Sequence, residues 1–166
     1  MSKDNISPIR PTDDDARHLA RNLIEEARIA ALAVVDPDSG APMVTRISFG
    51  LGAQGAWLTL VSDLAAHTRG LCENTRVGLL LGEAPAKGDP LAFPRLSVQA
   101  EPCFVARDSA LHQAHRDAWL AHHPKSALYV DFPDFSFVSL TPVGADLNGG
   151  FGKAYRLSAD DLHGQS

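Results

Sequence analysis

Apolar residues recur along this chain with two periods, and the switches between them mark the elements. Over residues 12–28, Ala16, Leu19, Ala20, Leu23 and Ile24 fall three and four apart, the spacing of one helical face. Thr12 stands where a cap belongs, and Asp13, Asp14 and Asp15 lie near the positive end of the helix dipole. Residues 29–36 then read as a strand, apolar and β-branched, closed by the turn cluster Pro37-Asp38-Ser39-Gly40. In 42–51, Val44, Arg46 and Ser48 alternate with Thr45, Ile47 and Phe49, which puts the two sets on opposite faces. Residues 52–55 turn the chain and 56–62 form a third strand. Turns this short predict an antiparallel meander.

The later pattern continues in this way. Residues 64–73 predict a short helix, and 77–82 a strand so apolar that burial on both faces is expected. After the turn-rich 83–90, residues 95–105 are a strand, and Asp108 or Ser109 caps a helix reaching about His122. A long strand over 132–142, a glycine-rich turn over 148–152 and a short strand over 153–157 complete the chain. The expectation is a mainly β, α+β domain: a six-stranded β-barrel with peripheral helices over 13–166, after a flexible arm over 1–12.

Composition narrows the function classes. The 166 residues are 45% hydrophobic and 21% charged, which suits one globular domain. A net charge of −5 argues against general nucleic-acid binding. The longest apolar run, 29–35, falls far short of the ~20 residues that span a bilayer. No apolar stretch begins the chain, so no secretory leader is expected and the cytoplasm is the expected setting. Cys72 and Cys103 have no metal-binding spacing and are expected as free, partly buried thiols.

Candidate chemistry gathers where the third strand meets the next helix. A helix starting directly after a strand points unpaired N–H groups outward, a ready phosphate site. Ser62, His67 and Thr68 add donors there, Arg69 adds charge, and Arg46 and Arg95 approach from strands expected to flank the third. The plain alternative is a helix cap with solvated neighbours. His112 and His115 share a helical face, but no carboxylate or cysteine completes a metal cluster, so a packing role is expected for them. Asn148–Gly152 is either a tight turn or a place of close approach to a flat ligand or a second chain. No nucleophile triad, Walker loop or HExxH zinc motif is present.

These pieces resemble the split-barrel flavoproteins related to pyridoxamine 5′-phosphate oxidase, and within them the haem-utilisation (HugZ-type) branch. The resemblance rests on Ala31-Leu32-Ala33 with Gly40-Ala41-Pro42, on Ser62-Asp63-Leu64-Ala65-Ala66-His67-Thr68 with Leu71, and on Gly88-Asp89-Pro90-Leu91 with Pro94-Arg95-Leu96-Ser97-Val98. His123-Pro124, Tyr129, Asp134-Phe135 and Gly149-Gly150-Phe151-Gly152-Lys153-Ala154 extend it. It implies a six-stranded split barrel that forms a homodimer, with FMN in a groove between subunits and a small-molecule substrate. It further implies that Arg46, Ile47 and Ser48 border the flavin, that Ser62, His67 and Thr68 hold its phosphate, and that Arg95 approaches from a neighbouring strand. His67 stands where pyridoxamine phosphate oxidases tend to carry lysine. The tail Lys153-Ala154-Tyr155-Arg156-Leu157 lacks the arginine- and histidine-bearing segment with which those oxidases grip substrate. The function implied is that of an FMN-dependent oxidoreductase, with no catalytic side chain assigned. The alternatives are a haem-binding or haem-utilisation protein, with His115 or His123 near the iron, and a cofactor-free dimeric binding module.

Overall fold

The structure, a computed structural model, describes residues 9–163. Its first helix, α1 (Asp14–Glu26), is capped by Asp13, whose carboxylate accepts the Ala16 N–H at 2.8 Å. The cap expected at Thr12 is displaced because that hydroxyl instead donates to the Arg156 carbonyl at 2.8 Å. Ala16, Ala20 and Ile24, spaced by four, form the buried stripe of α1.

Two strands follow as an antiparallel hairpin, β2 (Ile29–Val35) and β3 (Pro42–Ser48), after the short β1 (Ile9–Arg10). The expected meander breaks here. The Phe49 ring is fully buried, edge-on to Trp57 at 5.6 Å, and the chain turns at it. Residues beyond it leave β3 and form β4 (Gly50–Leu51), which pairs with β5 (Trp57–Ser62). The rest of β5 pairs with β8 (Phe135–Asn148). β8 pairs along its length with β7 (Arg95–Phe104), β7 with β6 (Val77–Leu81), and β6 with β2, which brings the sheet back to its start.

The second half of β8 carries β9 (Ala154–Ser158) on its other edge, and β9 holds β1 in parallel. The described residues thus form nine strand segments in one sheet, not six. The increase comes from the break at Phe49 and from the β9–β1 flap. The arm expected over 1–12 is docked from Ile9 onward; residues 1–8 lie outside the described residues.

Among the described residues four α-helices surround the sheet, the others being α2 (Ala66–Glu73), α3 (Ala110–His122) and α4 (Ala159–Leu162). None is long and apolar enough to cross a membrane. α4 carries a capping box, Ser158 with Asp161, and Asp161 also takes Arg17 of α1 at 2.7 Å. β5 and the first half of β8 are buried on both sides. Trp57, Val61 and Val138 join the barrel core with α1, while Leu58 and Phe137 pack against Trp119 of α3. β6 departs from expectation, because its Leu80 is 43% exposed and one face has no covering helix.

One polar group inside the barrel lacks a partner. The Thr59 hydroxyl is fully buried and bonds to nothing among the described residues. Thr59→Val removes this orphan at constant shape and is expected to add about 1 kcal/mol of stability. That corresponds to a rise of ~2–4 °C in the thermal midpoint, read by calorimetry. A lower midpoint would show that water satisfies the hydroxyl.

Candidate functional site

β3 ends one path of the sheet, so along 42–48 its second edge has no strand partner among the described residues. The start of α2 stands across this edge, and Thr45 Oγ1 meets His67 Nδ1 there at 3.1 Å. Burial holds the His67 imidazole below its ordinary pKa, so the ring is neutral at pH 7. α2 begins at Ala66, two residues later than expected, and without a side-chain cap. The intervening turn is built from Ser62, whose Oγ accepts the Leu64 N–H at 3.2 Å.

The expected phosphate donors are adjacent but already engaged. The Ser62 hydroxyl donates to Asp134 Oδ2 at 2.9 Å. The Thr68 hydroxyl, nearly buried, donates to the Ser62 carbonyl at 2.6 Å. Arg69 is clamped by Asp38 through two bonds, 2.6 and 3.0 Å long. The Ser62, Thr68 and Arg69 side chains therefore offer a phosphate little free donor capacity and a carboxylate stands beside them, while the backbone N–H groups at the uncapped start of α2 remain as donors.

The other expected site residues fall elsewhere. Ile47 is buried in the core. Arg46 and Ser48 point to the opposite face of β3 from Thr45. The expectation that the Arg95 strand flanks the third strand is corrected within one chain. β7 does not flank β5, because β8 lies between them. Ser62 pairs with Phe135 and Arg95 with Asn148, at opposite ends of β8, roughly 40 Å apart along an extended strand. The Arg95 guanidinium instead donates to the carbonyls of Leu91 and Phe93.

The outward face of β2, β3 and β6 is the second feature. Register puts Arg46 beside Ala31 and Ala31 beside Leu80, with Val44 beside Ala33. Val44 is 68% exposed, and Arg46 has no ion-pair or hydrogen-bond partner for its side chain among the described residues. A cavity of about 360 Å³ opens here between Ile29, Ala31, Val44, Arg46, Leu80 and Glu83.

The histidines of α3 serve the fold. His115 is buried and its Nδ1 accepts the Ala53 N–H at 3.1 Å. His123 Nε2 donates to the Phe49 carbonyl at 2.9 Å while its ring stacks on Trp119. Each ring is therefore held in a packing contact through one of its nitrogens. No cluster of metal-binding side chains occurs among the described residues. Gly149–Lys153 is a tight turn between β8 and β9, with Gly150 and Gly152 at positive φ. Both cysteines are free and exposed rather than partly buried. Asp134, missed as a site residue, was visible in the sequence only as part of Asp134-Phe135. Its partner Ser62 lies 72 residues away.

Comparison with known proteins adds the following. A family model described as pyridoxamine 5′-phosphate oxidase matches residues 16–148. The chain is similar to the chloroplastic heme oxygenase HOZ of Arabidopsis thaliana, 36% identical over 104 residues, covering 62% of this chain and 30% of that protein. It is similar to the heme oxygenase HutZ of Vibrio cholerae, 30% identical over 141 residues, covering 83% of this chain and 78% of that one. Among solved structures, a heme-binding protein from Mycobacterium smegmatis superimposes with a TM-score of 0.74 at 28% identity, covering 93% of this chain and 61% of that one. The chain thus spans less than a third of the Arabidopsis protein and about three fifths of the mycobacterial one.

Proposed function

Because the chain belongs to the pyridoxamine 5′-phosphate oxidase family, we propose that it is a haem-binding protein built on that family's barrel. In this reading it works as a homodimer in the cytoplasm, with the ligand groove between the subunits. The carrying observation is at Ser62. Its hydroxyl is given to Asp134, so the spot assigned to a flavin phosphate already holds an acid. Two like charges about 5 Å apart repel by roughly 3 kcal/mol at an effective dielectric of 20.

Haem has different requirements: a broad apolar plane and partners for two carboxylates. The outward face of β2, β3 and β6 supports that fit. Ala31, Val44 and Leu80 make an apolar floor, and Arg46 stands beside it with no ion pair among the described residues, with Glu83 at the rim of the same cavity. The names carried by HOZ, HutZ and the mycobacterial protein support the same choice. When bound, haem supplies a redox-active iron. This chain's own residues bind and orient it: Arg46 pairs with a propionate, and Val44 and Leu80 exclude water from the ring. The face carries no His, Cys, Met or Tyr, so its residues would hold the ring and a propionate and would not bind the iron. The uncovered sheet around it suits a contact with a second copy.

The test is a pair of titrations of the purified protein, with haemin and with FMN. A saturable Soret shift at about micromolar haemin and no quenching of FMN fluorescence are expected. Saturable FMN binding with no Soret response would overturn the reading in favour of a flavoprotein. Asp134→Asn, which keeps an acceptor for Ser62 and removes the charge, is expected to raise FMN affinity about tenfold, ~1.4 kcal/mol. Haemin affinity should stay within about twofold.

A further inference from the structure

We propose that His115 is an acid-operated latch: it fastens α3 to the turn between β4 and β5 and releases it in mild acid. The proposal does not depend on which ligand the protein takes. α3 meets this turn through two imidazoles seated on two glycines. A Cβ at Gly52 would lie 2.6 Å from His115 Nδ1, and one at Gly50 would lie 3.0 Å from His123 Nε2. The absent side chains leave space that the two rings share with Leu58 and Trp119.

The two bonds answer a proton in opposite ways. His123 donates its Nε2–H to the Phe49 carbonyl and keeps that hydrogen when charged. His115 accepts the Ala53 N–H at Nδ1, so that nitrogen has to be bare. A proton there turns an acceptor into a donor aimed at another donor, and leaves the Ala53 N–H without a partner. It also places a charge in a seam with nothing to offset it. The facing stretch, residues 50–57, contains no titratable side chain. On α3 itself the group acting on His115 is His112, of the same sign, which in turn lies near Arg107, Arg116 and Asp131. Around His123 stand Arg28 and His122, again cationic or neutral.

The direction with pH follows from burial, which holds His112, His115 and His123 below the ordinary imidazole range. The unfolded or undocked ring takes up a proton first, so docking is fully stable above about pH 6.5 and weakens as pH falls below it. The effect reaches the site described above. Arg116 of α3 holds Asp131 through bonds of 2.7 and 2.6 Å, at the head of the turn that presents Asp134 to Ser62.

Amide hydrogen exchange on the full chain tests this, with rates corrected for intrinsic chemistry. Between about pH 7.5 and pH 5, protection of α3 and of the Ala53 amide should fall roughly tenfold more than that of the β2–β3 hairpin. His115→Asn places a non-titrating acceptor oxygen near the Nδ1 position, and the excess fall should shrink to the part left by His112 and His123. Gly52→Ala crowds both Leu58 Cδ1 and His115 Nδ1 and should loosen α3 already at neutral pH. Constant α3 protection in the wild type, or an unchanged fall in His115→Asn, overturns the latch. Should His115→Asn fail to fold, the His115 ring resonances of the wild type decide. A titration that tracks the loss of α3 protection supports the latch, and one that leaves α3 protected overturns it.

Discussion

Trp119→Ala is expected to cost about 3–5 kcal/mol of stability, a large part of the 5–15 kcal/mol that holds a typical domain together. Trp119 is fully buried and is the centre of the second core, between α3 and the outer side of β5 and β8. Its ring stacks on His123 at 4.1 Å and meets Phe137 edge-on at 5.7 Å. Its indole N–H donates to the Ser126 hydroxyl at 3.2 Å. Truncation empties a cavity that Leu58, Val130 and Phe137 are too well anchored to fill, and it leaves a buried hydroxyl short of a partner. Urea unfolding followed by circular dichroism measures the loss. A cost below about 1.5 kcal/mol would mean that this seam repacks and that α3 is not held by its tryptophan.

The second large effect concerns ligand affinity. Arg46→Ala is expected to weaken haemin binding by about ten- to a hundredfold, the worth of a charge-assisted contact of ~1.5–3 kcal/mol. The side chain is exposed and makes no ion pair among the described residues, so its removal should leave the unfolding midpoint unchanged. That combination, lost affinity at constant stability, separates a ligand contact from a structural role. Arg46→Lys keeps the charge and should recover part of the affinity, because a point charge replaces a bidentate fork. Unaltered affinity in Arg46→Ala would take the sheet face out of the site and send the search back to the β3 edge and His67.

The comparison of Arg46 with Ser62 shows why the two cofactor readings part company. Both residues were candidates as donors to an anion. In the fold, Arg46 makes no direct ion pair among the described residues, whereas Ser62, Thr68 and Arg69 each find an internal acceptor. Donor chemistry read from residue types is a statement of capacity. A folded chain uses that capacity on its own carbonyls and carboxylates wherever they come within reach, since an unmet donor is costly.

Much of the local structure was legible because its causes are local. The α1 stripe, the turn at 36–41 and the alternation in β3 each depend on neighbours within a few residues. Ser109 as the cap of α3 is of the same kind, a side chain answering an N–H three positions on. Family membership was legible too, through motifs spread over most of the chain. What only the tertiary structure decided has long-range causes. The turn at Phe49 needs Trp57 beside it, the failure of β7 to flank β5 needs β8 between them, and the engagement of Ser62 needs Asp134 brought from 72 residues away. Apolar and polar periodicity records which way a side chain faces. Which partner waits there is set by strand pairing, and pairing is a property of the closed sheet rather than of any one strand.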